Sequence, residues 1–164
     1  MLVIREAIAS DASLIVDMIR ELAEFERELD QVEITPEDLL RDGFGEKPRF
    51  QALVAEWDDQ PAAYAVYFFT YSTWTGHPSL FVEDLFVRAQ FRGKGIGRSL
   101  LRRMAVIARQ QNCYGMHWEV LNWNTAAIEF YRSLGAKLQK EWFLVLFRGR
   151  AFEEFVSGKK SVDG

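Results

Sequence analysis

The stretch Glu83-Asp84-Leu85-Phe86-Val87-Arg88-Ala89-Gln90-Phe91-Arg92-Gly93-Lys94-Gly95-Ile96-Gly97 decides the fold. An apolar strand led by two carboxylates runs into a basic, glycine-punctuated turn, and an arginine-rich helical stretch follows. Glycines 93, 95 and 97 let the backbone curl so that several N–H groups point one way. With the dipole of the next helix, they suit a phosphate-bearing ligand. The carboxylates stand one strand-length upstream, where they can take a proton or hold a cation. The turn fails as a Walker loop, because Lys94 is followed by Gly95 and not by Ser or Thr. It also fails G-x-G-x-x-G, since the last position counted from Gly93 is Arg98. A plain surface turn with solvated arginines is the alternative; its place between a strand and a helix favours binding.

Outward from this stretch the chain reads as a mixed α/β (α+β) domain. Residues 2–7 form a strand. Ser10 caps a helix reaching about residue 28, with Leu14, Ile15, Met18, Ile19, Leu22 and Phe25 at helical spacing. Thr35-Pro36-Glu37-Asp38 starts a short helix that Gly43 stops. Strand-like runs cover 50–57, 62–71 and 80–87, the first two joined as a hairpin by Asp58-Asp59-Gln60-Pro61. Leu100, Leu101, Met104, Ile107 and Ala108 mark the buried face of the helix after the glycine turn. A strand over 114–121, a short helix over 125–134 ended by Gly135, and two strand-like runs near 136–141 and 142–148 close the order β-α-α-β-β-β-α-β-α-β-β. Residues 1–156 are expected to be one domain, and 157–164 a fraying polar tail.

The chain has 164 residues, enough for one domain with a real core. Its net charge of −4 hides a division. Residues 85–118 hold seven Lys/Arg and no Asp or Glu, so the rest is strongly acidic. One basic zone in an acidic body implies an anionic ligand there and a cationic one elsewhere, and argues against a nucleic-acid surface. No apolar run reaches the ~20 residues that would span a bilayer, and the first residues read as a strand and not as a signal peptide. Cys113 is the single cysteine, consistent with a reducing cytoplasm. No His/Cys/carboxylate cluster has metal-ligand spacing, so no metal is expected.

Arg92-Gly93-Lys94-Gly95-Ile96-Gly97 matches the R/Q-x-x-G-x-G/A signature of the GCN5-related acetyltransferases. The chain most resembles their spermidine/spermine (diamine) and thialysine acetyltransferase branches. Asp42-Gly43-Phe44-Gly45-Glu46, Tyr67-Phe68-Phe69-Thr70-Tyr71, Glu83 to Val87, and Asn124 through Ala136 carry the likeness over most of residues 4–148. The resemblance implies a mostly antiparallel sheet, splayed in the middle and flanked by helices, with acetyl-CoA as co-substrate. It gives Leu85, Phe86 and Val87 backbone contacts to the pantetheine arm and the turn Arg92, Gly93, Lys94, Gly95, Ile96, Gly97 and Arg98 the pyrophosphate. Asn124, Thr125, Ala126 and Ala127 would line the arm's far side.

Acetyl transfer to an amine needs a proton acceptor, because an alkyl amine with a reference pKa of ~10.4 is mostly ammonium at neutral pH. Glu83 is the candidate acceptor and Asp84 the next, although neighbours on a regular strand face opposite sides. A solvated strand end with a structural salt bridge is the other reading of the pair. Tyr131 is the candidate general acid, a phenol able to protonate a leaving thiolate; without the resemblance it reads as a half-buried core cap. The resemblance also assigns Phe25, Glu26, His117, Trp118 and Glu119 to the substrate side, with Glu26 reaching the partner's site in a homodimer. Trp74 could stack on a cation. On residues alone, His117 reads as a core histidine, and the acidic run 21–33 as either a cation site or a solvated face. Ser72 stands where mammalian polyamine enzymes carry an aspartate, which shifts the acceptor toward a shorter diamine or a lysine-like amino acid. Two alternatives stay open: acetylation of a peptide amine, and a non-catalytic acyl-CoA-binding module.

Overall fold

Strands β1 (Leu2–Glu6), β2 (Gln51–Trp57), β3 (Gln60–Ser72), β4 (His77–Val87) and β5 (Met116–Trp118) lie side by side in that order in the computed structural model, which describes residues 1–158. Every pairing is antiparallel except β4–β5, which is parallel. Helices α1 (Ala12–Glu26), α2 (Pro36–Phe44), α3 (Ile96–Gln110), α4 (Thr125–Ser133) and α5 (Gly149–Val156) complete the order. The expected mixed, mostly antiparallel sheet with flanking helices is present. The chain packs as two compact units, residues 1–119 and residue 120 onward. The first holds all five strands with α1–α3, the second α4 and α5.

Local chemistry accounts for the elements. Asp58 and Asp59 both adopt positive φ, as a two-residue hairpin turn of matching twist requires, and so set the β2–β3 register. Thr35 caps α2 through a reciprocal pair with Asp38, and Pro36 takes the first helical position. Gly43 lies inside α2 and not at its end: a Cβ there would sit 2.7 Å from the Phe50 ring, so glycine makes room for packing. The helix closes at Gly45. Asp11, not Ser10, organises the start of α1; its carboxylate accepts the Ile8 N–H at 2.8 Å and two Arg5 donors at 2.6 and 2.9 Å. Arg27, at φ 64°, ends that helix two residues early.

In the first unit, one sheet face gives Ala52, Val54, Tyr64, Val66 and Phe86 to a core with Ile15, Val16 and Met18 of α1 and Leu39 of α2. The alternate positions, including Leu53, Ala55 and Ala65, are buried as well. Helix α3, which packs on β2, β3 and β4, buries Leu100, Leu101, Met104 and Ala108. Truncating such side chains typically costs about 2–5 kcal/mol.

The C-terminal part departs from expectation. The strand over 114–121 contracts to Met116–Trp118, and the runs near 136–141 and 142–148 form no strands. Trp142 to Phe147 are all exposed. Strand composition alone cannot supply a ladder partner. Helix α5 follows instead, and the Ser157 N–H donates to the Glu153 carbonyl at its end. From residue 159 the expected tail lies outside the described residues.

Candidate active site

Two irregularities in β4 build the site. Val66 of β3 pairs with Asp84, but Tyr67 pairs with Val82, so Glu83 is an extra residue in a β-bulge. Val82 and Leu85 then share one face, while Glu83 and Asp84 both turn to the other, the face that packs on α1. Strict alternation, which allowed only one carboxylate toward the site, does not hold here. On the opposite edge, the parallel ladder to β5 spans only Leu80–Met116 to Val82–Trp118. Beyond it, Leu85, Phe86 and Val87 pair with β3 alone, leaving a strand edge for an extended, amide-bearing ligand.

The carboxylates around this face are all raised, each by burial first and by a neighbouring carboxylate second. Burial first, then the Glu83 charge and that of Glu26, push Asp84 up to about 6. The fully buried Tyr64 hydroxyl lies near enough to offset part of that rise, yet makes no hydrogen bond of standard geometry among the described residues. Glu83 keeps an exposed side, and partial desolvation followed by Glu119 raises it above the usual glutamate range. Glu26, at the end of α1, is raised by desolvation and by Glu28. Buried, neighbouring carboxylates lower their energy by gathering around a cation or holding a proton.

The glycine turn is set by conformation. Gly93 and Gly95 have φ of 77° and 76°, with nothing within 4 Å of where a Cβ would stand, so the backbone there is open to approach. Gly95 caps α3 without a side-chain bond, and the first-turn N–H groups have no partner within the helix. The basic side chains lie along apolar rings. Arg92 donates to the Val87 carbonyl at 3.0 Å, its guanidinium 4.8 Å from the Phe25 ring centre, and Lys94 sits 4.7 Å from that of Trp57. The turn thus offers a phosphate its main chain, and the residues present fit a pantetheine-diphosphate ligand. Arg88 anchors the end of β4 to α1 through Glu21 at 2.6 Å, which engages one carboxylate of the acidic run.

Other predicted residues fall as follows. Trp74 is exposed in the β3–β4 connection. Trp118 pairs with Val82, and Glu119 follows it. His117 is exposed and not a core histidine; Ser79, which the sequence reading passed over, holds its Nδ1 at 2.9 Å. In the second unit, Asn124 caps α4 by accepting the Ala127 N–H at 3.2 Å, which also fixes Thr125 and Ala126 in its first turn. Tyr131 lies half-buried on that helix beside Phe130, and Gly135 closes it at φ 86°. Among the described residues no group of three or more His, Cys, Asp or Glu is placed to hold a metal, and no helix is long and apolar enough to cross a membrane.

Residues 15–136 match the acetyltransferase (GNAT) family. The chain is 43% identical over 162 residues to the thialysine N-epsilon-acetyltransferase of Mus musculus, covering 92% of this chain and 95% of that one. It is 42% identical over 154 residues to the human spermidine/spermine N(1)-acetyltransferase-like protein 1, covering 88% of this chain and 22% of that longer protein. Among solved structures, an integron cassette protein from the mobile metagenome of V. cholerae superposes with a TM-score of 0.79 at 25% identity, covering 94% of this chain and 97% of that one.

Proposed function

Because this chain belongs to the acetyltransferase (GNAT) family, we propose that it acetylates a primary amine of a small cationic substrate (a diamine, a polyamine or a thialysine-like amino acid) by direct attack in a ternary complex. The observation that carries the amine reading is the bulge that turns Glu83 and Asp84 together onto the face shared with Glu26. Acetyl-CoA, the family's usual donor, supplies the activated acetyl thioester. Leu85, Phe86 and Val87 offer their free edge to its arm, and the main chain of residues 93–98 takes its phosphates. Glu83 receives the amine proton, directly or through water, and its raised affinity for a proton makes it the better base. Asp84, Glu26 and Glu119 hold the substrate's charge, with Phe25, Trp74 and Trp118 along its carbon chain and His117 on the same side of the site. Tyr131 returns a proton to the departing thiolate, while Asn124 through Ala127 border the arm. Residues 1–156 act as one domain, in a cytoplasmic homodimer with Glu26 contributing to the partner's site.

A panel of thialysine, diamines, polyamines and basic peptides, assayed by CoA release, tests this reading. Turnover is expected to saturate with the small amines, and thialysine or a short diamine should exceed spermine, since Ser72 offers a distal ammonium no carboxylate. Saturable turnover with peptides alone would replace the reading by peptide acetylation. Acetyl-CoA binding without release from any acceptor would replace it by a binding module.

A further inference from the structure

Ser79 and His117 form a polar pair whose proton arrangement bears on the substrate side of the site. Ser79 is 2% exposed, and its Oγ lies 3.1 Å from the Gly115 carbonyl oxygen and 2.9 Å from His117 Nδ1. The hydroxyl has one proton for these two neighbours. A carbonyl oxygen has none to give, so the hydroxyl must donate to Gly115 if that contact is a hydrogen bond. His117 Nδ1 must then carry a proton and donate to Ser79 Oγ. The reverse arrangement would press two bare oxygen acceptors together at a buried serine. The Gly115 carbonyl also accepts the Leu80 N–H at 3.1 Å, so its position is fixed by the sheet. A neutral imidazole protonated at Nδ1 presents a lone pair at Nε2. Desolvation lowers the proton affinity of His117 and keeps it neutral near pH 7.

The register places the ring that carries that lone pair. His117 pairs with Phe81, with ring centres 5.0 Å apart; Ser79, Phe81 and Glu83 share one face, and the Glu119 charge acts on both Glu83 and His117. We infer that Ser79 is a positioning residue: it holds His117 as a hydrogen-bond acceptor that, beside Glu83 and Glu119, receives an N–H of the acceptor amine. This inference rests on the reading of the protein as a small-amine acetyltransferase. With the tautomer reversed, the ring would present a donor to an ammonium that has only donors, and would repel it.

The sequence contains only two histidines, so nitrogen-15 spectra of selectively labelled protein resolve His117, with His117→Gln giving the assignment. Wild type is expected in the Nδ1–H tautomer, and added thialysine should shift its Nε2 resonance. Ser79→Ala should move the ring toward the Nε2–H tautomer. It should also raise the KM for thialysine about tenfold, as loss of one hydrogen bond to a charged group does, with the acetyl-CoA KM unchanged. Ser79→Thr should restore both readouts. An Nε2–H tautomer in wild type would overturn the inference, as would an unmoved Nε2 resonance on thialysine binding, or a reversed tautomer with unchanged KM. The tautomer is read without turnover, so a protein that holds Nδ1–H yet releases no CoA refutes the amine reading separately.

Discussion

Asp84 sits where the sheet stores electrostatic cost. Its carboxyl rises from 3.8 to about 6, chiefly through burial and secondly through Glu83. A raised acid binds its proton more tightly in the native state than in the unfolded chain. The penalty is therefore absent below about pH 4 and complete above about 6, where it is worth on the order of 2–3 kcal/mol. Asp84→Asn should accordingly raise Tm at pH 8, with the gain fading as pH falls through about 6; a gain independent of pH would show that the carboxylate is not strained. Tyr131→Phe is a different kind of test. It should lower turnover roughly 10²- to 10⁴-fold, the range for losing a positioned acid, while acetyl-CoA affinity stays near wild type by calorimetry. Unchanged turnover would remove Tyr131 from the chemistry.

At the scale of elements, the glycine turn and the bulge differ in how far sequence revealed them. The turn was legible because glycine is the residue that enters positive φ without strain, and Gly93 and Gly95 both do so. Gly95→Ala should cost about 1–2 kcal/mol in chemical denaturation and raise the acetyl-CoA KM; equal stability would mean that the turn relaxes to another conformation. The bulge at Glu83 was not legible. It is a mismatch of count between β3 and β4, and neither strand alone carries a mark of it. Ser79 escaped for a related reason: a serine in an apolar strand has no motif, and its role depends on His117 arriving from the parallel neighbour. The runs over 136–148 misled in the opposite sense, since strand-forming residues without a partner edge make no strand.

For the whole molecule, the charge division read from sequence has a structural counterpart. The basic stretch supplies the turn and α3, and the raised carboxylates gather on the α1-facing side of the sheet. If Glu26 serves the partner's site, light scattering should give about twice the 19.0 kDa chain mass, and Glu26→Gln should raise the KM for the amine without altering that mass. A monomer would leave Glu26 to its own sheet. Most of the fold followed from periodicity and turn chemistry, whereas the acceptor side depended on register. The most direct test of the account is the pH dependence of kcat/KM for thialysine, in wild type and Glu83→Gln. Wild type should show an acid limb above the usual glutamate range, and the variant should lose both that limb and roughly 10²-fold in kcat/KM with acetyl-CoA affinity intact. A variant that keeps the wild-type kcat/KM and the same limb would contradict the assignment of Glu83 as the proton acceptor.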